Sequence, residues 1–139
     1  MLEKFAADRA EGLISIEALT RETCKFDLLR TEIEKSNTVP FNEADFAFHD
    51  LYISRCGNPL IISHIGKLQS QLRRVWYLVG THVLHIRLSL EEHTVIADAI
   101  RYPRPGLLAQ AVEQHVIAVG RRMASFVDHA YQQDEDIAS

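Results

Sequence analysis

An acid and a histidine lie four residues apart in the segment EADFAFHDLYISRCGNP, residues 43–59. If this segment is a helix, Asp45 and His49 share one face, because residues four apart are neighbours on a helix surface. Their β-carbons then lie about 5–6 Å apart, which suits two ligands of one metal ion. Asp45 also lies three residues after Asn42, where an acid can complete an N-terminal helix cap. The pattern predicts half of a metal site, with capping as the alternative role of Asp45.

Two further histidines, His93 and His115, lie on the apolar stripes of two later predicted helices. Arg104, in the turn YPRPG, is equidistant from both of them along the chain. In an antiparallel helical hairpin such residues have the same height, about 16 Å from the bend at about 1.5 Å per residue. The two imidazoles are therefore expected to face each other.

Four polar side chains converge in this arrangement: Asp45, His49, His93 and His115. Without a cation, three buried imidazoles and a carboxylate would leave several polar groups that need partners. We therefore predict a divalent metal site, with zinc as the first expectation and nickel, iron, cobalt or manganese as alternatives. Four protein ligands complete a tetrahedral structural site, whereas an ion with five or six ligands leaves positions for water or a carboxylate.

The fourth predicted helix carries candidates for holding a bound carboxylate. Arg73 lies about 100° from the centre of its apolar stripe, and a guanidinium can hold a carboxylate through two hydrogen bonds. The alternative is an interface arginine whose stem covers apolar surface. His64 and Gln71 flank the same stripe, and His82 joins them if the helix extends that far. The predicted effector-binding residues are thus Arg73, His64, His82 and Gln71.

The elements that must position these residues are helical. The 139 residues suit one domain, 1–139, and apolar residues recur three and four apart with only six glycines and four prolines. We predict an all-α antiparallel bundle of about six helices. Their expected ranges are 2–10, 15–36, 40–55, 60 to about 79, about 90–101 and 107–131, followed by a frayed acidic tail.

The start of the fifth helix is predicted from the tetrapeptide SLEE, residues 89–92. It matches a capping box, in which Ser89 caps the helix and Glu92 reaches back to the amide of the cap. The helix is therefore expected to begin near Leu90.

Composition excludes several classes of function. The formal net charge of −4 repels phosphate, so the chain alone is a poor nucleic-acid binder. Cys24 and Cys56 show no redox or metal-ligand spacing, and no signal peptide or membrane span is visible, so we expect a cytoplasmic protein without a membrane partner.

The sequence resembles the FCD domain, the ligand-sensing C-terminal domain of the FadR subfamily of GntR transcriptional regulators. Four segments carry the resemblance, in the order and approximate spacing of that family: LEKFAADRA near the start, DFAFHDLYISRCGNPLI at 45–61, SLEEHTVIADAI at 89–100 and AVEQHVIAVGRRM at 111–123. The last two are the most specific.

The resemblance implies an antiparallel bundle of six or seven helices with a cation at the floor of a cavity for small carboxylates. In metal-binding members an acid and a histidine four apart join two later histidines, and the matching positions are Asp45, His49, His93 and His115. Relatives act as dimers, so a homodimer is expected. In that family, effector binding in the cavity alters how tightly an attached winged helix-turn-helix binds DNA.

The sequence departs from the family in three places. It contains no winged helix-turn-helix, so we expect either a fragment or a regulator that lost its DNA-binding domain. It begins partway along the usual first helix, without the acid-x-arginine segment that often faces the pocket. The turn RYPRPG stands where the family usually has glycine-aspartate.

Three functions follow as hypotheses. The first is a metal-dependent effector-sensing domain without enzymatic activity, because no nucleophile or general base accompanies the four ligands. The second is an HD-type phosphohydrolase, suggested by the adjacent pair His49 and Asp50. Adjacent residues point about 100° apart on a helix, so Asp50 is expected to face away from the site. The third is a purely structural ion.

Overall fold

The computed structural model describes residues 1–35, 39–79 and 83–138. Over these ranges the chain forms six helices and no strand, which confirms the predicted all-α bundle. The helices are α1 (Leu2–Ala10), α2 (Ile16–Glu34), α3 (Val39–Ile53), α4 (Pro59–Val79), α5 (Val83–Arg101) and α6 (Leu107–Ala138).

The starts of α2 and α6 are fixed by side chains that accept backbone N–H bonds. Ser15 accepts from the amide of Ala18 at 3.1 Å and so caps α2. The carboxylate of Glu11 caps α6 from the other end of the sequence, accepting from the amides of Gly106 at 3.0 Å and Leu108 at 3.1 Å. This contact ties the turn between α1 and α2 to the start of the longest helix.

The predicted start of α5 near Leu90 is wrong, because the helix already begins at Val83. Ser89 is buried inside the helix and lies near His85, so it does not cap. The apolar periodicity extends in front of SLEE through Ile86, which is fully buried, and this packing overrides the local capping signal. At the other end of the chain, α6 continues past the predicted Tyr131 to Ala138.

The packing of the helices explains how distant segments meet. α5 and α6 pack against each other as the predicted hairpin. α3 packs on both α1 and α2, and these in turn pack on α6 and α5 respectively. Helices α1 and α2 therefore hold the inner face of α3 opposite the α5–α6 hairpin.

The core lies between these helices, and its largest fully buried side chains include Phe48, Tyr52, Ile86 and Val112. Helix α4 packs against α1 and α3 and is less covered. Leu68 and Leu72, on its predicted inward stripe, are 50% and 39% exposed. The inner faces of α3, α5 and α6 are thus better buried than that of α4.

Candidate metal centre

The four predicted ligands lie together at the meeting point of α3, α5 and α6. Asp45, His49, His93 and His115 each offer one ligand atom, and these atoms all lie within 4.8 Å of one another. Nε2 of His49 is 3.3 Å from Nε2 of His93 and 3.2 Å from Nε2 of His115. Oδ1 of Asp45 is 3.1 Å from Nε2 of His93 and 3.7 Å from Nε2 of His49. The side chains converge on one point.

Two of the imidazoles are oriented by carboxylates on their outer nitrogens. Nδ1 of His49 donates to Glu3 at 2.9 Å, and Tyr52 donates to the same carboxylate oxygen at 2.7 Å. Nδ1 of His115 donates to Glu92 at 2.7 Å. A proton held on Nδ1 directs Nε2 of each ring toward the centre, where the neutral imidazole offers a lone pair, and metal-binding histidines are commonly fixed in this way.

His93 is held by packing instead. Its ring centroid lies 5.0 Å from that of Phe26 and 4.7 Å from that of Phe48, and only 2% of the residue is exposed. Nδ1 of His93 has no hydrogen-bond partner among the residues that the structure describes. On the outer side of this imidazole, aromatic walls take the place of a hydrogen bond to Nδ1.

Electrostatics in the cluster separate the titrating groups. Burial alone would raise the pKa of Asp45, but the facing imidazoles of His49 and His93 outweigh it and hold that pKa well below its usual range. Burial likewise disfavours the charged form of His49, yet the carboxylates of Glu3 and Asp45 raise its pKa to about 9. Burial lowers the pKa of His93 to about 4. The carboxylate of Asp45 is therefore ionised, and His93 is neutral near pH 7.

The chemistry of this donor set fits a divalent cation. Three imidazole nitrogens and one carboxylate oxygen are ligands that zinc and its neighbours in the first transition series accept. Nε2 of His49 faces Nε2 of both other histidines at 3.2–3.3 Å, and one proton cannot satisfy both of them, whereas a common cation would satisfy all three nitrogens and the carboxylate. The cluster could therefore hold a metal ion.

A cavity of about 80 Å³ adjoins the cluster. Three of the four predicted ligands line it, together with polar and apolar side chains from α1, α3, α4, α5 and α6. The lining residues include Asp45, His49, His115, Glu3, Phe41, Asn42, Gln69, Leu72, Trp76, His85, Ser89 and Val119. A space of this size suits a small molecule.

The residues predicted to bind an effector lie elsewhere. Arg73 is paired with Glu43 at 2.7 Å, and its guanidinium lies 4.3 Å from the ring centroid of Phe46. His64 and Gln71 are exposed, and Nδ1 of His64 donates to the carbonyl of Leu60. These three side chains do not line the cavity. His82 lies outside the described residues.

The orientation of α4 explains this difference. Gln69, Leu72 and Trp76, spaced three and four apart, present one face of α4 to the cavity. Gln71 lies on a different face, and the guanidinium of Arg73 is occupied by Glu43. The sequence gives the period of the apolar stripe of α4 but does not fix how far the helix is rotated about its axis.

A network of supporting residues was not predicted from the sequence. Glu3 and Glu92 hold the outer nitrogens of His49 and His115, and Arg122 holds Glu92 with Nη1 at 2.6 Å and Nη2 at 2.9 Å. Helical spacing could have identified Glu92 as a supporting residue, because it lies next to His93 in the sequence and shares a helix face with Ser89. Glu3 lies 46 residues from His49 along the chain, so nothing local could identify it.

The fold and the site together define a helical bundle with a buried acid-and-histidine cluster beneath a small cavity. The family model of the FCD domain matches residues 1–118 of the chain. The chain therefore belongs to the FCD domain family, a family of regulatory ligand-binding domains, which confirms the resemblance seen in its sequence. No curated protein matches it, and neither does any solved structure. Within the described ranges, none of the helices combines the length and apolar character that crossing a membrane requires.

Proposed function

We propose that this chain is the effector-sensing domain of a GntR-type transcriptional regulator and that it binds a small carboxylate above a divalent cation. Asp45, His49, His93 and His115 would hold the cation, for which zinc is the first candidate. When bound, the cation would supply a positive charge at the cavity floor for the carboxylate of the effector. The observation that carries the proposal is that the cluster borders a cavity instead of being sealed in the core.

The same observation favours a metal site that binds an effector over a purely structural metal site. A structural site is closed by its four protein ligands, whereas His49, His115 and Asp45 all border the cavity. A position open toward that cavity suits an exchangeable ligand. The phosphohydrolase hypothesis is disfavoured, because Asp50 is exposed and lies outside the cluster.

The remaining parts of the proposal follow from membership of the family. The chain would act as one domain, 1–139, in a cytoplasmic homodimer without enzymatic activity. It would contact DNA only through a winged helix-turn-helix, because its own net charge of −4 repels phosphate. A two-fold pair would match a palindromic operator.

Calorimetry with short carboxylic acids tests the proposal. The metal-loaded domain should give saturable heat, and the same protein stripped by a chelator should give none. His115→Ala should abolish binding of the acid, whereas His64→Ala, at an exposed position on α4, should leave it unchanged. Circular dichroism of each variant verifies folding. Equal heats from the loaded and stripped domains would contradict the proposal.

A further inference from the structure

Two polar side chains of α5 line the cavity, and both lie N-terminal to His93 on that helix. Ser89 and His85 lie one and two turns before His93, or about 6 Å and 12 Å along the helix axis. The ring of His85 packs on Trp76, with centroids 4.5 Å apart. We call His85 and Ser89 the polar corner of the cavity.

Hydrogen bonds fix the protonation of the polar corner. Nε of Arg122 donates to Nδ1 of His85 at 3.0 Å, so Nδ1 carries a lone pair and the ring proton resides on Nε2. His85 is therefore a neutral imidazole whose Nε2–H faces Oγ of Ser89 at 3.4 Å. Burial and the adjacent guanidinium of Arg122 lower the pKa of His85 to about 4, which is consistent with a neutral imidazole.

Ser89 has an unused donor in this network. Its Oγ has two neighbours, Nε2–H of His85 at 3.4 Å and Nη2–H of Arg122 at 3.3 Å, and both are donors. Both distances exceed the usual 2.7–3.2 Å of an N–H···O bond. The hydroxyl proton of Ser89 has no acceptor among these contacts, so it is available to a bound molecule.

The polar corner also carries no net positive charge. Both terminal nitrogens of Arg122 are bound to the carboxylate of Glu92, which neutralises the guanidinium. Among the described residues that line the cavity there is no lysine or arginine, and the ionised side chains there include Asp45 and Glu3. A second carboxylate on the effector would thus be buried near a guanidinium that is already paired with Glu92, without an unpaired cation to neutralise it.

We propose, resting on the function proposed above, that the effector is a short monocarboxylate with a hydroxyl or another neutral hydrogen-bonding group at its far end. Its carboxylate lies toward the metal centre, and its far group accepts the hydroxyl proton of Ser89 and the Nε2–H of His85. The cavity of about 80 Å³ is small, so it suits a short acid.

Three four-carbon acids of matched length test the inference on the unaltered, metal-loaded domain: 4-hydroxybutanoate, butanoate and butanedioate. Calorimetry should find that 4-hydroxybutanoate binds about fivefold or more tightly than butanoate, the effect of one added hydrogen bond. Butanedioate should bind more weakly than 4-hydroxybutanoate. Butanedioate as the tightest of the three would overturn the inference while leaving the proposed function intact.

Substitution of Ser89 provides a second test of the inference. Ser89→Ala should lower the affinity for 4-hydroxybutanoate toward that for butanoate, because only the Nε2–H of His85 then remains for the far group, and it should leave the affinity for butanoate unchanged. Ser70→Ala is the matched control, because Ser70 is exposed on α4 and bonds only the carbonyl of Gly66. An unchanged preference for the hydroxy acid in Ser89→Ala would overturn the role of the polar corner. Absence of heat from all three acids would overturn the proposed function together with the inference.

Discussion

Replacing Glu92 with glutamine should weaken metal binding without touching any of the four ligands. Glu92 accepts one hydrogen bond from Nδ1 of His115 at 2.7 Å and two from Arg122 at 2.6 and 2.9 Å. Glutamine keeps the size of the side chain but removes the charge and one acceptor, so its amide N–H₂ would face a donor. His115 then loses the carboxylate that keeps the proton on Nδ1 and the lone pair on Nε2.

The expected magnitude is that of a lost outer carboxylate at a metal-bound histidine. Such changes weaken metal affinity about 10–100-fold, which corresponds to about 1.4–2.8 kcal/mol. Competition with a chromophoric chelator measures the affinity directly, and thermal unfolding of the stripped variant monitors folding separately.

The neighbouring residue provides the matched control for this experiment. Glu91 is exposed and lies beside Glu92 in the sequence, so Glu91→Gln makes the same chemical change on the same turn of α5. Glu91→Gln should bind metal as the unaltered domain does. Equal affinities in Glu91→Gln and Glu92→Gln would refute the orienting role of the Glu92 carboxylate.

Two further predictions concern the ligands themselves. Asp45→Asn should lose bound metal while Asp50→Asn retains it, as measured by metal analysis after dialysis; the opposite order would favour the phosphohydrolase hypothesis. Metal binding near pH 7.5 should release about one proton, because the pKa of His49 is raised to about 9 and its imidazole must lose a proton to ligate. The metal affinity should therefore fall as the pH is lowered below about 9. Calorimetry in buffers of different ionisation enthalpy counts the protons released on metal binding. A count of zero would contradict the protonated state of His49.

The cluster of side chains was predictable as two pairs, because each pair obeys a local rule. Asp45 and His49 are related by the four-residue period of a helix, and the equal distances of His93 and His115 from Arg104 follow from the geometry of a hairpin. Both rules depend only on distances along the chain. The structure accordingly brings all four side chains together.

The surroundings of the cluster depend on relations that the sequence does not contain. Glu3 reaches His49 because α1 packs on α3, and Glu92 reaches His115 across the hairpin. The residues of α4 that line the cavity depend on the rotation of that helix, so Gln69 lines it while Gln71 does not. Tertiary packing decides each of these positions, and no single segment encodes it.

The start of α5 shows how a local signal can be overridden. SLEE has the residues of a capping box, but Ser89 and Glu92 are used for tertiary contacts to His85, His115 and Arg122. A polar pair on the inner face of a helix produces the same four-letter pattern as a cap. The apolar residues on both sides of such a pattern are what distinguish the two cases.

X-ray absorption at the metal edge of the loaded domain, recorded with and without a short carboxylic acid, distinguishes an effector-binding cation from a structural ion. An effector-binding cation should show three imidazole nitrogens and one carboxylate oxygen from the protein, at least one additional oxygen ligand, and a change in the spectrum when the acid is added. A closed four-coordinate site whose spectrum is unaffected by saturating acid would refute effector binding at the cation and identify the ion as structural.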